Sequence, residues 1–164
     1  MTVSISGLKA DLISTVPGLR AFAIALRGNA DKGDDLVQET LVRAIGGLSS
    51  FTEGTNLMAW LITILRNAYY NERKKGRREV ADPEGVMAGQ LVSRPAQNAH
   101  MDLLDFRTAL QQLPLERREA LILIGASGYS YEEAAAICNC APGTMKSRVH
   151  RARERLSDFL DLEK

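Results

Sequence analysis

Between Pro142 and Arg155 the segment PGTMKSRVHRARER carries five basic side chains and one acid. At about 100° per residue, Met145, Val149, Ala152 and Leu156 fall on one side of a helix. Ser147, His150, Arg151 and Glu154 fall on the other, flanked by Lys146 and Arg153 on one edge and by Arg148 and Arg155 on the other. Such an array donates hydrogen bonds and neutralises anions. Arginine or lysine on it can pair with guanine O6 and N7, while flanking cations hold phosphates. The plain alternative is a solvated basic face that complements the helix dipole. That accounts for Arg153 and Arg155 near the C-terminal end but not for Lys146 and Arg148 near the start, where positive charge is mildly unfavourable.

A second array runs from Arg66 to Arg78, where Arg66, Arg73, Lys74, Lys75, Arg77 and Arg78 are interleaved with Asn67, Tyr69, Tyr70 and Asn71. Cations neutralise phosphates, and aromatic faces stack on bases that have left a duplex, so this reads as a surface that tracks a nucleic-acid strand. For Tyr69 and Tyr70 a place in the core is an equal alternative. Other chemistry is poorly supplied. Cys138 and Cys140 sit one residue apart, too close for an ordinary disulfide in a helical turn, and read as small buried apolar residues. His100 and His150 lie in separate contexts, which leaves no metal set. With no glycine-rich phosphate loop and no nucleophile–base motif, the expectation is a protein that is not an enzyme and takes no cofactor.

The elements that must position these side chains are helical throughout, because apolar residues recur at helical spacing and strand alternation is almost absent. A first helix is expected after Pro17, with Leu19, Phe22, Ala23 and Leu26 on one face and a stop at Gly28-Asn29. A second, from about Asp34 to Ile45, buries Val37, Leu41, Ala44 and Ile45 and leaves Asp35, Gln38 and Glu39 off that stripe. Asn56 caps a third, whose stripe is Leu57, Trp60, Leu61, Ile64, Leu65 and Ala68. Farther on, Leu103, Phe106, Leu110 and Leu113 share a face, and Pro114 closes one helix and opens the next. Ser130-Tyr131-Glu132-Glu133 has the form of a capping box before a short helix from Tyr131 to Ile137. Asn139 then supplies a tight turn and Pro142 a first helical position, which together make a helix-turn-helix whose second helix is the basic one.

Between these regions, residues 79–101 lose periodicity and carry two prolines, two glycines and a net charge of −2, against +4 for residues 1–78. That composition shift predicts two small helical domains joined by a flexible linker. The whole chain, at 164 residues, 45% hydrophobic and a formal net charge of +1, has no global bias toward nucleic acid. The bias is local: residues 102–141 carry three bases and six acids. No apolar run reaches the ~18 residues of a membrane span and the N-terminal segment lacks signal-peptide layout, so the expected location is the cytoplasm with no membrane partner.

The segments DDLVQETLVRAI (34–45), FTEGTNLMAWLITILRNAYYNERKKGRR (51–78) and LPLERREALILIGASGYSYEEAAAICNCAPGTMKSRVHRARERL (113–156) resemble, in order, the extracytoplasmic-function (ECF) sigma factors of bacterial RNA polymerase. GTNLMAWLITILRN and LILIGASGYSYEEAAAICNC are similar to the EcfG type, the general stress response sigma factors of alphaproteobacteria. The resemblance implies a sigma-2 domain over 1–78, a three- to four-helix bundle, and a four-helix sigma-4 domain over 102–164. It implies that Asp35, Gln38 and Glu39 dock on the clamp helices of the β′ subunit, with the β flap as a further polymerase contact. It implies that the loop from Phe51 to Asn56 receives a flipped base of the downstream promoter element, with Asn67 reading nearby. Trp60 is counted with Arg66, Tyr70, Arg73, Lys74, Arg77 and Arg78 as a downstream-element candidate, although its stripe makes core its first role. Lys146, Ser147, His150 and Arg151 match the upstream-element readers, and Arg148 and Arg153 flank them. Pro142 departs from the family pattern, which more usually has a small or branched residue there.

The expected partners are then polymerase core, promoter DNA and a small anti-sigma protein, with the chain a monomer or a heterodimer with that inhibitor. Two other readings use the same residues. A sigma-like decoy that sequesters the anti-sigma protein would not need Lys146, Arg148, Arg151 or the cluster from Arg73 to Arg78. A helix-turn-helix regulator would normally bind a palindrome as a symmetric dimer and leaves the helix of Asp35 unexplained.

Overall fold

The computed structural model describes residues 5–79 and 99–161, and among these every regular element is helical. Most of the expected linker, residues 80–98, lies outside the described residues. In chain order the helices are α1 (Ile5–Arg27), α2 (Ala30–Gly46), α3 (Leu57–Glu79), α4 (Ala99–Gln111), α5 (Leu115–Leu121), α6 (Tyr131–Cys138) and α7 (Pro142–Asp161). A short 3-10 turn, Leu48–Ser50, precedes α3, and α5 runs on into a π-helical turn, Ile122–Ala126.

The first expected boundary was wrong, since α1 begins twelve residues before Pro17 and carries it inside the helix. An interior proline loses a backbone hydrogen bond and costs about 3 kcal/mol. Leu12 on one side of it and Leu19, Phe22, Ala23 and Leu26 on the other are all buried. Each fully buried leucine or phenylalanine contributes about 1.5–3 kcal/mol, so tertiary burial outweighs the local penalty. The helix ends at Gly28, at φ 75°, whose amide donates to the Ile24 carbonyl at 2.7 Å. Asn29 then caps α2 by accepting from the Lys32 amide at 3.0 Å.

Gly33 lets α2 cross α1 closely, because a Cβ there would stand 3.0 Å from the Ile24 Cα. The inward stripe of α2 is Gly33, Leu36, Val37, Thr40 and Ala44, with the Thr40 hydroxyl satisfied by the Leu36 carbonyl at 2.7 Å. Ile45, expected in the core, lies one position past this stripe and is 62% exposed. Val42, at 71%, is exposed on the same helix. In α3, Asn56 accepts from the Ala59 amide at 3.0 Å, and Leu61, Ile62, Leu65 and Ala68 are buried.

The buried side chains of the two halves form one contiguous cluster. α1 touches α4 and α5, and α3 touches α6. The last carbonyls of a helix have no partner within it. Those at the end of α1 are met from the other half of the chain: Gln111 Nε2 donates to the Ala25 carbonyl at 3.0 Å and Arg118 Nη1 to the Leu26 carbonyl at 2.7 Å. Arg118 is buried, and its other nitrogens donate to the carbonyls of Leu110, Gln111 and Leu113 at 3.0–3.2 Å. One guanidinium thereby ties the α4–α5 turn to α1. Leu103 and Phe106, expected on an inward face with Leu110 and Leu113, remain 54% and 40% exposed, whereas Leu110 and Leu113 are buried.

Candidate nucleic-acid interface

The helix-turn-helix is built from local chemistry. Ser130 Oγ accepts from the Glu133 amide at 3.1 Å while Glu133 Oε2 accepts from the Ser130 amide at 2.8 Å, so two of the orphan donors at the start of α6 are satisfied reciprocally. α6 ends at Asn139, the one described non-glycine residue at positive φ (54°), a conformation asparagine tolerates. The turn is closed by the Cys140 amide donating to the Ala135 carbonyl at 3.0 Å. α7 then starts at Pro142, where a missing N–H costs nothing.

On α7, Met145, Val149, Ala152 and Leu156 are buried against α4, α5 and α6. Lys146, Ser147, His150, Arg151, Arg153 and Glu154 are exposed. His150 Nε2 lies 3.3 Å from Glu154 Oε1, and the Lys146 ammonium stands over the Tyr131 ring of α6 at 5.5 Å. Arg148 differs from its neighbours: its side chain is 20% exposed, 3.6 Å from Glu116 Oε2 and 3.8 Å from Cys140 Sγ. Its guanidinium is turned toward α5 and the turn rather than outward.

The second basic array divides along α3. Asn67, Lys74, Arg77 and Arg78 are exposed and Arg73 is partly buried, 5.8 Å from the Tyr69 ring. Tyr69 is in the core at 8% exposure, with Arg27 over its ring at 5.0 Å and Arg27 forked onto Glu72 at 2.7 and 3.2 Å. Arg66 and Tyr70 instead face the second half of the chain. Arg66 Nε is 2.7 Å from Glu119 Oε1, and its guanidinium lies over the Tyr70 ring at 4.5 Å. Glu119 is 1% exposed and its Oε1 also accepts from Cys138 Sγ at 2.7 Å.

Burial lowers the affinity of Arg66 for its proton, but the bond to Glu119 and the carboxylate charge outweigh it and the net shift is upward. Burial, and then the Glu119 charge, push the Cys138 thiol and the Tyr70 phenol well above their ordinary ranges, so both stay protonated at neutral pH. Cys138 is therefore buried as expected, but as a hydrogen-bond donor rather than as an apolar filler.

Phe51, which precedes α3, packs ring to ring on Trp60 of its first turn, 5.1 Å between centroids at 50°. Phe51 and the loop from Glu53 to Asn56 line a cleft of about 510 Å³ together with Asp11, Ser14 and Thr15 of α1. Trp60 is half-buried: part core, as its stripe implied, and part wall of a second cleft of about 290 Å³ facing Tyr129 and Ile137. On α2, Asp35, Gln38 and Glu39 are exposed, with Glu39 paired to Arg43 at 2.9 Å.

The structure thus gathers Lys146, Ser147, His150 and Arg151 on one open face and Asp35, Gln38 and Glu39 on another, while it draws Arg66, Tyr70 and Arg148 into contacts within the chain. Sequence reasoning missed Arg118 and Glu119. The signal was there: Glu119 lies four residues after Leu115 and Arg118 four before Ile122, which places both charges on an apolar helical face, where buried charge is rare unless paired.

The sigma-70 region 2 family matches residues 12–79 and the sigma-70 region 4 family matches residues 103–156. The ECF RNA polymerase sigma factor EcfG of Rhodopseudomonas palustris is 59% identical over 153 residues, which cover 93% of this chain and 84% of that protein. The chain belongs to the ECF sigma factors. The ECF sigma factor SigC of Mycobacterium tuberculosis is 35% identical over 135 residues, covering 81% of this chain and 72% of its own. Among solved structures, the sigma factor RpoE of Bartonella quintana, crystallised with the anti-sigma factor NepR, superposes with a TM-score of 0.83 at 51% identity over 98% of this chain and all of that one. The anti-anti-sigma factor PhyR of the same organism, at 18% identity and a TM-score of 0.63, shares the fold. This ECF sigma factor accordingly has the two sigma-70 regions in order, and the basic face of α7 belongs to its region 4.

Proposed function

We propose that this sigma factor directs core RNA polymerase to stress-response promoters by two separated DNA contacts and one protein contact. Residues 102–164 act as the sigma-4 domain, with Lys146, Ser147, His150 and Arg151 reading the upstream element and Arg153 on a phosphate. Residues 1–78 act as the sigma-2 domain, with 79–101 as the tether. Asp35, Gln38 and Glu39 dock on polymerase, and the exposed Val42 and Ile45 beside them add apolar contact area. The loop of Phe51 to Asn56 and the cluster of Asn67, Arg73, Lys74, Arg77 and Arg78 take the downstream element once its strands separate. Tethering makes two modest contacts selective as a pair. The work is done by binding, with no covalent step. A small anti-sigma protein of the NepR kind acts as inhibitor; the identity to the Bartonella sigma factor crystallised with one supports this.

One observation carries the reading: α7 buries its aliphatic stripe completely while the donors on its opposite side stand open. Run-off transcription with purified core enzyme on a stress promoter tests it. A promoter-dependent transcript is expected, and its absence from every stress promoter tried overturns the proposal.

A further inference from the structure

Arg148 stands in the middle of the reading helix, between Ser147 and His150, yet its guanidinium points away from the exposed donors. Its fork is divided between two elements. Nη2 lies 3.6 Å from Oε2 of Glu116, in the first turn of α5, and Nη1 donates at 3.8 Å to Sγ of Cys140, in the turn before α7. A guanidinium is a rigid plane whose nitrogens can hold two acceptors in a set geometry, which an ammonium cannot do. Apolar packing carries no such direction. Met145, Val149, Ala152 and Leu156 bury α7, but a small roll of the helix leaves an aliphatic stripe buried. It does not leave a base contact intact. A side-chain tip about 6 Å from the helix axis moves about 2 Å for a roll of ~20°, more than the span of hydrogen-bond distances.

We infer that Arg148 is a positioning residue: its contacts with Glu116 and Cys140 fix the roll of α7 and so aim Lys146, Ser147, His150 and Arg151 at base edges, without Arg148 itself touching DNA. This rests on the reading of α7 as the helix that reads the upstream element. The charge pattern suits the role. Arg148 and Arg151 lie three positions apart, and like charges at that spacing repel on a helix. Glu116 draws one of them toward α5 and leaves the other on the open face. Glu116 is itself 59% exposed beside a surface that meets a polyanion, where an acid with no internal task would only weaken binding.

The test uses the full chain with core polymerase and compares a promoter duplex with one whose upstream element is scrambled, over a series of salt concentrations. A phosphate contact serves both duplexes and carries about 0.9 of the slope of log affinity against log salt. A positioning residue serves the preference between them and leaves that slope alone. Arg148→Ala is expected to lower the preference about tenfold, within the range for one lost base contact, at unchanged slope. Arg148→Lys is expected to lose nearly as much, because it restores the charge but not the fork. Arg153→Ala, assigned to a phosphate, is the reference, with a slope lowered by about 0.9 and its preference kept.

Glu116→Gln keeps the shape and removes the charge. It is expected to lower the preference about threefold, as for a partly exposed ion pair. Simple removal of an acid beside DNA has the opposite sign and tightens both duplexes. This variant carries the test if Arg148→Ala loses its helical circular dichroism or its co-elution with core polymerase. An unchanged preference in the folded variants, full rescue by Arg148→Lys, a slope lowered by Arg148→Ala, or tighter binding of both duplexes by Glu116→Gln overturns the inference. A wild type with no preference for the intact element overturns the reading of α7 itself, and the inference with it.

Discussion

Arg151 stands on the open side of α7 with no partner competing for its guanidinium in the described structure, while the Val149 and Ala152 beside it are buried. Arg151→Ala is predicted to weaken binding of an upstream-element duplex by about 1–3 kcal/mol, the range for one base-edge contact, and to leave polymerase binding unchanged. Equal losses in the two assays would mean misfolding. Arg118 is the opposite case, a charge with an internal purpose. Arg118→Ala leaves the carbonyls of Leu26, Leu110 and Leu113 without that donor and is predicted to cost about 2–4 kcal/mol in chemical denaturation. Arg118→Lys recovers only part, because an ammonium lacks the planar fork that spans several acceptors.

The protonated pair around Glu119 sets a pH dependence. Cys138 is raised from 9.0 and Tyr70 from 10.0, each by burial first and the Glu119 charge second. Unfolded, both groups release their protons near those ordinary values; folded, they keep them. The folded state therefore binds more protons above about pH 9, and stability that is fully present below that pH falls as the pH rises. Denaturation midpoints are predicted to decline from pH 9 to 10.5, and Tyr70→Phe to flatten part of that slope; an unchanged slope would contradict the coupling.

Among the elements, α2 presents the sharpest division of labour. Its inward stripe holds α1 and α3, and its outward side carries Asp35, Gln38 and Glu39 near Val42 and Ile45. Replacing Asp35 and Glu39 together by alanine is predicted to abolish co-elution with core polymerase while changing folding stability by no more than about 0.5 kcal/mol, as for surface positions. A melting temperature that drops with binding would place these residues in the fold instead. Helices were legible where the determinants are local. The stripe of α7, the capping box at Ser130, the αL turn at Asn139 and the start at Pro142 all depend on residues within a few positions of one another. Pro17 and Ile45 were misjudged because distant packing decided them. The Arg66–Glu119 pair spans 53 positions and has no local signature beyond two charges on an apolar stripe.

At the scale of the molecule, the two halves read as separate domains by composition, yet their buried residues are contiguous and α1 and α3 lean on α4, α5 and α6. Periodicity identifies what each helix buries but says nothing of which helices meet across residues 79–101. The packing of the two halves covers Arg66 and Tyr70 on α3 while the basic face of α7 and the Asp35 face of α2 stay exposed.

The most direct measurement is a footprint of the chain with core polymerase on a stress promoter, compared with Arg151→Ala. Two separated protected patches are predicted for the native chain, with the upstream patch alone lost in the variant. A single symmetric patch, or protection indifferent to the substitution, would contradict the assignment of α7 as the helix that reads DNA.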